Sequence, residues 1–595
     1  MSQPAPIVPA NWREWTPRVV LAWLLIAVIA IIRSRDEIAA MALGDQDDVL
    51  RLLQVRALLE GQGWYDLVMH RIDPPAGVAM HWSRLVDLPI ALCIAALTPL
   101  VGAHNAEIAT VVIVPMLTLL AALLLTGRIA ARLAGPQAAF FAALLWLIAF
   151  PARNQIDPLR IDHHGWQIVA VLAALNGLVA RSARVGGWIV GASLGLGMAI
   201  SIELLPFTGF FAGIFALRWI SAREHRAWLV HMLESLAITS LVAFAVTRGP
   251  DITGYCDAVS PGYLAGFVLA ALLVRLAARL PHWKPVAELG VLGVCGAAAG
   301  ALLLLLAPQC STGPFAQLDP VVHELWLANV LEGMPVWRQD IEVLVQMMLP
   351  PVFALVCAAA LWRHSAGAHR RAWLEIALLQ AASIVIALAV ARFSAVACAI
   401  AAIPIGCALR PMINRMERLR SPLARVGALF ALVLVLVPGV GVLLVYKAAP
   451  SLRPAQSAAT AAEAEKPFPQ CGMPDSLDAL AALPKGTVFA PLDMGPALLL
   501  RTHHSVVATG HHRAGQAIKD LLTAFTASPD KAEALVRRHG ATYVLTCDEI
   551  GETGVYKAKA PAGFAALLVK GKAPAWLEPV SLPAEARTLK LWRVR

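Results

Sequence analysis

Long uninterrupted apolar segments constrain this sequence more than any other feature. About 20 apolar residues are needed for a helix to cross a bilayer. Because lipid offers the backbone no hydrogen-bond partners, such segments predict a polytopic α-helical membrane protein with about 13 transmembrane helices. Several segments are short, so we expect tilted helices or a thinned bilayer. The thirteen segments are residues 17–33, 106–127, 137–151, 166–181, 186–201, 204–219, 227–247, 262–278, 287–307, 346–362, 372–391, 394–409 and 424–446.

The composition agrees with a membrane location and argues against two other classes of protein. Hydrophobic residues make up 58% of the chain and charged residues 15%, whereas a soluble domain carries about 25% charged residues. A transmembrane β-barrel would show alternating apolar and polar residues, and these segments are continuous. The net charge of +10 is explained by arginines in membrane loops, so we expect no nucleic-acid partner.

Arginine-rich loops alternate along the chain and predict its orientation. The positive-inside rule places these loops and the N-terminus in the cytoplasm and, with an odd number of spans, the C-terminal part outside. Arg33 and Arg35 disagree with this orientation. The first apolar segment ends in charge without a cleavage site, so we expect it to be retained as a span of the inner (plasma) membrane. The basic loops contain residues 128–132, 181–184, 218–226, 275–284, 363–371 and 410–425.

Four long loops and a C-terminal domain then fall outside the membrane. Residues 87–103, within the first loop, are apolar but short, so we predict an interfacial helix there and no span. The chain divides into a membrane domain (1–446), a linker of small residues (447–469) and an α/β domain (470–595). The external loops are 34–105, 152–165, 248–261 and 308–345, and the strands of the α/β domain are predicted within 486–493, 504–510, 541–547 and 589–594.

Cysteines and histidines outside the membrane allow more than one interpretation. Cys256 and Cys310, or Cys471 and Cys547, are candidates for disulfide bonds, and the sequence leaves their pairing open. The histidine pairs at 503–504 and 511–512 are compatible with a second metal site or with solvated side chains.

Three acidic motifs fall on the same predicted outer face. They are GDQDD at 44–48, RIDHHGW at 160–166 and a loop at 318–337 that contains Glu332. Charges beside apolar spans are costly unless they are solvated, paired or bound to a metal. Carboxylates with one histidine suit Mg²⁺ or Mn²⁺. The alternative is that these are solvated loop residues, with Asp45 as the N-cap of the helix that follows it.

The order and spacing of these motifs resemble the catalytic subunits of oligosaccharyltransferases, which are membrane enzymes of the GT-C glycosyltransferase fold. That family carries a G-x-x-D-x motif in its first external loop, which residues 44–48 match with Asp47 as the acid. Its second external loop carries D-x-D or D-x-H, which Asp162 and His164 match. The resemblance extends over most of the chain and implies about 13 spans followed by an outer α/β domain.

Two further matches lie in later segments. The family's T/S-x-x-E motif is matched by Glu332, with Pro335 behind it, although Asn329 replaces the hydroxyl residue. An arginine–phenylalanine pair, here Arg392–Phe393, is implied to hold the phosphates of the donor. The resemblance therefore implies a divalent metal, Mn²⁺ or Mg²⁺, with Asp47, Asp162, His164 and Glu332 as ligands.

One motif of the family is incomplete. Its outer domain carries W-W-D-Y-G, which recognises the hydroxyl residue of the Asn-x-Ser/Thr acceptor, whereas this chain has APLDMG at 490–495. Asp493 is retained and both tryptophans are absent, which favours an acceptor other than that sequon. We assign Asp493, Arg392 and His163 to substrate binding. Trp82 is assigned there as well, although anchoring at the membrane interface is the simpler explanation of this aromatic residue.

The resemblance implies metal-assisted, inverting transfer of a sugar or oligosaccharide from a polyprenyl phosphate or diphosphate to a lipid, glycan or protein acceptor. Asp47 would orient or deprotonate the acceptor, with Asp45 and Asp48 in reserve and Glu332 beside it. Two other functions stay open. One is a lipid-linked glycan transporter or flippase, and the other is a non-catalytic glycolipid-binding scaffold. A transporter would use ionisable residues within the spans, and the candidates are Glu203, Glu234 and Glu375.

Overall fold

The computed structural model describes residues 10–313, 315, 317–449, 471 and 474–595, so the predicted linker lies almost wholly outside the described residues. The membrane domain contains helices α1 (Trp12–Arg33), α2 (Arg35–Ala40), α3 (Gln46–Leu59), α4 (Arg84–Val101), α5 (Ala103–Ala134), α6 (Pro136–Leu144), α7 (Phe150–Asn154), α8 (His164–Leu178), α9 (Ala183–Ile200), α10 (Leu205–Trp219), α11 (Arg226–Thr247), α12 (Pro261–Ala277), α13 (Pro285–Leu306), α14 (Pro320–Leu325), α15 (Ile341–Arg363), α16 (Gly367–Ala389), α17 (Ser394–Glu417), α18 (Pro422–Leu436) and α19 (Pro438–Ala448). The C-terminal domain adds α20 (Pro474–Asp478), α21 (Gly495–Arg501), α22 (Gly515–Thr526), α23 (Pro529–Arg538), α24 (Gly551–Lys559) and α25 (Phe564–Val569). The strands are β1 (Val68–Met69), β2 (Val78–Ala79), β3 (Thr487–Phe489), β4 (Ser505–Val506), β5 (Tyr543–Cys547), β6 (Leu577–Val580) and β7 (Leu589–Val594).

The thirteen predicted apolar segments all fold mainly as helices. Among the described residues, ten helices are long and apolar enough to cross a membrane, and α18 with α19, bent by 105°, makes an eleventh span if the pair is counted as one. Three predicted spans correspond to the shorter helices α6, α8 and α12. The ten include α4, which the sequence predicts to lie at the interface, and that placement stays a prediction.

Helix α17 lies in the interior of the membrane domain because its first half is small and apolar. All side chains from Ser394 to Ala408 are buried. Small residues let neighbouring helices approach closely. Helices α9 and α11 also approach each other closely, because a Cβ added at Gly191 would collide with the carbonyl oxygen of Met232. Arg392 lies just before α17, so this packed helix holds the arginine in a defined position.

The C-terminal domain is a five-stranded mixed sheet with helices, as the alternating patterns predict. Its strand order is β4–β3–β5–β7–β6, with β3 parallel to β4 and β5. Strand β7 pairs antiparallel with β5 and β6. The four predicted strands are confirmed, whereas β6 was not predicted because Glu578 and Pro579 disfavour a strand. Its edge position tolerates this proline.

The apolar core of the C-terminal domain continues into the loops of the membrane domain. Leu50, Ile72 and Trp82 of the first loop are buried in the same cluster as Val488 and Val544 of the sheet. The fourth loop contributes through α14. The boundary near residue 470 therefore separates segments of the chain but not packing units.

Both candidate disulfides are formed. Cys256 is bonded to Cys310, and Cys471 to Cys547. The first disulfide joins the third and fourth of the loops that are predicted to be external, and the second lies within the C-terminal domain. Disulfides persist in oxidising compartments, which agrees with the predicted location of these segments outside the cytoplasm.

Arg71 attaches the first loop to the C-terminal domain. Its guanidinium donates hydrogen bonds to the carbonyl oxygens of Leu499 at 2.9 Å, Thr502 at 2.6 Å and His504 at 2.5 Å. The next residue, Ile72, forms a parallel bridge with Val506 of β4. One side chain thus satisfies three carbonyl groups across the interface.

Replacing Arg71 with methionine should destabilise the protein, because three carbonyl groups lose a charged donor. We expect the free energy of unfolding to fall by about 2 kcal/mol, measured by reversible urea denaturation in detergent. Arg538→Met is the control, since Arg538 is 61% exposed and makes one bond of 3.1 Å to Asp520. It should cost less than about 1 kcal/mol. Equal losses in both variants would contradict the role of Arg71.

Candidate active site

Helix α3 begins in the GDQDD motif, and Asp45 caps it. The Asp45 carboxylate accepts a hydrogen bond from the backbone N–H of Asp47 at 3.0 Å and pairs with Arg160 at 2.8 Å. An aspartate in this position satisfies an amide that the helix leaves without a partner. Asp45 therefore has the structural role that the sequence offers as the alternative, and none of these contacts supports the reserve catalytic role.

Asp48 joins the first acidic motif to the second. Its carboxylate is completely buried and accepts the backbone N–H groups of Ile161 at 2.7 Å and Asp162 at 2.8 Å. Arg160 pairs with it at 2.9 Å. Burial raises the pKa of Asp48 to about 7, although the Arg160 charge and the Asp162 N–H both lower it. Asp48 thereby holds the backbone of the D-x-H motif against the start of α3.

The D-x-H motif gathers three side chains into one buried group. Asp162, His163 and His164 each offer a ligand atom within 4.8 Å of the others. Asp162 Oδ1 lies 2.5 Å from His163 Nδ1. Asp162 Oδ2 lies 3.5 Å from His164 Nε2 and is buried without a hydrogen-bond partner. The carboxylate therefore has one oxygen available for a further ligand.

Hydrogen bonds through Gln167 to Glu203 orient His164. Gln167 donates a hydrogen bond from Nε2 to Glu203 at 3.0 Å, which leaves Gln167 Oε1 to accept from His164 Nδ1 at 3.2 Å. In the neutral imidazole the proton then lies on Nδ1 and Nε2 carries the lone pair. Burial lowers the pKa of His164, but the neighbouring carboxylates, Asp162 foremost, raise it above its usual value and so favour the protonated form. A cation that displaces the Nε2 proton would find this nitrogen 3.5 Å from Asp162 Oδ2, which has no hydrogen-bond partner among the described residues.

Asp47 and Glu332 belong to the same electrostatic site but not to the tight group. Burial raises the pKa of Asp47 well above its usual value, and the charges of Asp162, Asp45 and Glu332 add to this effect, whereas Arg392 opposes it. Neither Asp47 nor Glu332 is among the residues whose ligand atoms lie within 4.8 Å of one another. The four predicted metal ligands are thus electrostatically coupled, with Asp162 and His164 in contact.

Arg392 supplies the positive charge of the site. It pairs with Glu203 at 3.0 Å and with Glu332 at 3.5 Å. Its Nε is buried with no hydrogen-bond partner. Arg392 therefore lies beside the predicted ligand Glu332, and Glu203 links it to His164 through Gln167.

A buried ion network beneath the site was not predicted from the sequence. Arg51 of α3 bonds Asp87 at 2.8 Å and Asp162 at 3.4 Å, and Arg84 bonds Asp87 at 3.1 Å. All four side chains are 0–3% exposed. The sequence shows Arg51 among leucines in α3 and Asp87 at the start of an apolar segment. Neither position indicates which residue is its partner.

The structure places Trp82 in the interior, which corrects the role predicted for it from the sequence. Its side chain is 0% exposed, and Arg51 stacks over its ring at 4.6 Å. An aromatic residue at this depth reaches neither lipid nor a sugar. Trp82 packs against Arg51. The interface anchoring and the substrate contact predicted for Trp82 are both wrong.

Asp493 lies beside the GDQDD motif. It accepts a hydrogen bond from Gln46 Nε2 at 2.6 Å, and its own N–H donates to Glu552 at 2.8 Å. Gln46 directly precedes Asp47 in α3. The structure therefore brings the retained acid of the C-terminal motif next to the first external loop.

Asparagine at position 87 should destabilise the protein, because two buried guanidinium groups would lose their shared carboxylate. We expect Asp87→Asn to lower the free energy of unfolding by about 3–5 kcal/mol, measured by reversible denaturation in detergent. Glu578→Gln is the control, because Glu578 is 52% exposed and lies 3.7 Å from Arg595. Its effect should stay below about 1 kcal/mol. A small effect of Asp87→Asn would show that the network is dispensable.

No protein-family model matches this chain, and no curated protein matches it. Solved structures do match. The archaeal oligosaccharyltransferase AglB from Archaeoglobus fulgidus, in complex with an inhibitory peptide and a dolichol-phosphate, has a TM-score of 0.64 at 14% identity, over 93% of this chain and 72% of AglB. The enzyme of the same organism tethered with an acceptor peptide containing the NVT sequon has a TM-score of 0.60 at 13% identity, over 96% and 73%. Its complex with Zn and sulfate has a TM-score of 0.56 at 14% identity, over 93% and 71%.

At 13–14% sequence identity, these structural matches show a shared fold and nothing beyond it. The match covers the membrane domain together with the C-terminal domain, because it spans 93% of the chain. The chain therefore has the GT-C fold of the archaeal oligosaccharyltransferase, as its motifs predict.

Proposed function

We propose that this chain is a membrane glycosyltransferase that transfers a sugar or oligosaccharide from a polyprenyl phosphate or diphosphate to an acceptor at the outer face of the membrane. One observation carries the proposal. Asp162 and His164 of the second loop lie 3.5 Å apart, and Glu332 of the fourth loop pairs with Arg392 before α17. The charges of Asp162, Glu332 and Arg392 act on the pKa of Asp47 in the first loop. The GT-C fold supports this assignment.

The donor's phosphate would bind at Arg392. Among the described residues, the Nε of this guanidinium is buried without a hydrogen-bond partner, and its ion pairs are with two partly exposed carboxylates. Guanidinium groups bind phosphate through charged hydrogen bonds. A dolichol-phosphate occurs in one complex of AglB, which has the same fold, and this supports a lipid-linked phosphate as the ligand here.

The residues present fit a divalent cation. Asp162 Oδ2 has no hydrogen-bond partner in the described part of the chain, and His164, which bonds Gln167 through Nδ1, would offer Nε2 once a cation replaces the proton there. Asp47 and Glu332 would complete the ligand set. When bound, Mn²⁺ or Mg²⁺ neutralises charge on the leaving phosphate.

Asp47 would act on the acceptor. As the acceptor oxygen or nitrogen bonds to the anomeric carbon, the bond from that carbon to the phosphate oxygen breaks, and the Asp47 carboxylate takes the acceptor proton. This single displacement inverts the configuration of the sugar. Arg392 stabilises the phosphate that departs.

The acceptor would enter between the first loop and the C-terminal domain. Asp493 and Gln46 meet there, and no tryptophan stands in the APLDMG motif. A site that recognises a hydroxyl needs hydrogen-bonding groups placed for it. We therefore favour a lipid, glycan or protein acceptor that lacks the Asn-x-Ser/Thr sequon.

The glutamates expected of a transporter are already paired. Glu375 bonds Arg218 at 2.5 Å, both almost fully buried, and Glu203 bonds Arg392 at 3.0 Å. Glu234 pairs with Arg275 and His231. These contacts give the three glutamates structural or active-site roles and favour the enzyme over the flippase.

Two aspartates of one motif test the proposed function. We expect Asp47→Asn to lower kcat/KM at least about 100-fold, because the acceptor loses its base and the cation a ligand. Asp45→Asn should stay near the wild-type value, since asparagine caps a helix as well as aspartate. The measurement is transfer of label from a polyprenyl-linked sugar in a membrane extract with added Mn²⁺.

Chelation and vesicle experiments complete this test. EDTA should abolish transfer, and Mn²⁺ should restore it. Transfer that persists in Asp47→Asn, or that is lost equally in Asp45→Asn, would contradict the assigned roles. Movement of intact donor across vesicles without sugar transfer would identify a flippase, and donor binding without either activity a scaffold.

Arg392 should contribute mainly to donor binding. Arg392→Gln removes a charged hydrogen bond to phosphate, which corresponds to an increase in KM for the lipid donor of about ten- to a hundredfold. Steady-state kinetics with varied donor concentration measure this change. An unchanged donor KM would exclude Arg392 from the phosphate site.

A further inference from the structure

A cluster of three histidines lies beside the candidate active site. It consists of His81 from the first loop with His511 and His512 from the C-terminal domain, and each offers a ring nitrogen within 4.8 Å of the others. The ring centroids are 5.0–5.1 Å apart. His81 is 6.3 Å from His163, centroid to centroid, so this three-histidine cluster borders the Asp162 site without sharing a residue with it.

Two imidazole nitrogens face each other within the cluster. His81 Nδ1 lies 2.9 Å from His511 Nε2, and the other nitrogen of His511, Nδ1, is buried with no hydrogen-bond partner. Burial and the neighbouring His512 hold the pKa of His81 and that of His511 well below their usual value. Neutral imidazole is the form that binds metal ions.

A carboxylate orients the third histidine. His512 Nε2 lies 2.6 Å from Asp257 Oδ2, which leaves Nδ1 to act as a ligand. Metal-binding histidines typically donate their second ring nitrogen to a carboxylate in this way. Asp257 follows Cys256, so the disulfide to Cys310 holds the loop that carries this carboxylate.

The surrounding arginines are themselves neutralised. Arg513 bonds both oxygens of Asp257, at 2.7 and 2.8 Å. Arg248 donates to the carbonyl oxygen of His81 at 2.6 Å and lies 3.5 Å from Asp251. Each guanidinium thus has a carboxylate partner, which reduces its repulsion of a cation in the cluster.

We propose that His81, His511 and His512 bind a zinc ion that joins the first external loop to the C-terminal domain. Three imidazole nitrogens favour Zn²⁺ or Co²⁺, whereas Mg²⁺ and Mn²⁺ prefer sites with more carboxylate oxygens. A zinc-to-nitrogen distance of about 2.0–2.1 Å places two ligands of a tetrahedral ion roughly 3.3 Å apart. The observed 2.9 Å between His81 and His511 is close to that spacing. The ion would hold the C-terminal domain beside His163.

Cobalt provides the test on the full chain. The protein is purified in detergent, stripped with a chelator and titrated with Co²⁺, which gives a visible absorption band in a nitrogen-rich tetrahedral site. We expect a saturable band at a single equivalent per chain, displaced by Zn²⁺ and not by Mg²⁺. Zinc addition should also raise the thermal midpoint of the stripped protein.

Matched variants separate this site from the candidate active site. His512→Gln and His511→Gln should lose the band, whereas His503→Gln should keep it, because His503 is exposed and bonds only the backbone of Leu483. Asp162→Asn should keep the band, since it alters the other site alone.

Several results would overturn the proposal. They are the absence of a band in the wild-type protein, a band that persists in both histidine variants, or a band lost in Asp162→Asn. Should the histidine variants fail to fold, the titrations of the wild-type protein and of Asp162→Asn still decide the outcome. None of these results depends on sugar transfer.

Discussion

The buried carboxylate of Asp48 is the interaction on which the candidate active site depends. It accepts two backbone N–H groups from the second loop and an ion pair from Arg160, and so joins two loops that are 113 residues apart. Hydrogen bonds and a neighbouring cation offset the cost of burying a carboxylate. Removal of these bonds would leave Asp162 and His164 without a fixed position relative to Asp47.

The three carboxylates of GDQDD therefore have three separate tasks. Asp45 caps α3, Asp48 binds the second loop, and Asp47 remains half-buried among other acids. A cation is the simplest way to neutralise the negative charge that collects around Asp47. The same motif thus builds the site and contributes a functional group to it.

Sequence patterns predicted the elements better than the contacts between them. Continuous apolar segments and alternating strands depend on local periodicity, so the membrane helices and the strands β3, β4, β5 and β7 were predictable. Strand β6 was not predictable, because the proline at position 579 disfavours a strand. The shared core of the C-terminal domain and the external loops could not be predicted either, since periodicity contains no information about which distant faces meet.

In the candidate active site, too, individual residues were easier to predict than the contacts between them. The motifs identified Asp162 and His164, which lie 3.5 Å apart, and Glu332 and Arg392, which form an ion pair. Asp47 is connected to these groups through its electrostatics alone. Arg51 and Asp87 were missed because a buried ion pair requires knowledge of both partners. Trp82 was misassigned because an aromatic residue in a loop has the same sequence signal whether it faces lipid or the interior.

The most direct test is to locate Mn²⁺ by anomalous scattering in crystals grown with a polyprenyl phosphate. We expect the ion bound to Asp162 Oδ2 and His164 Nε2, with a carboxylate oxygen from Asp47 or Glu332 and the phosphate near Arg392. An ion bound away from Asp162 and His164, or a phosphate far from Arg392, would contradict the account.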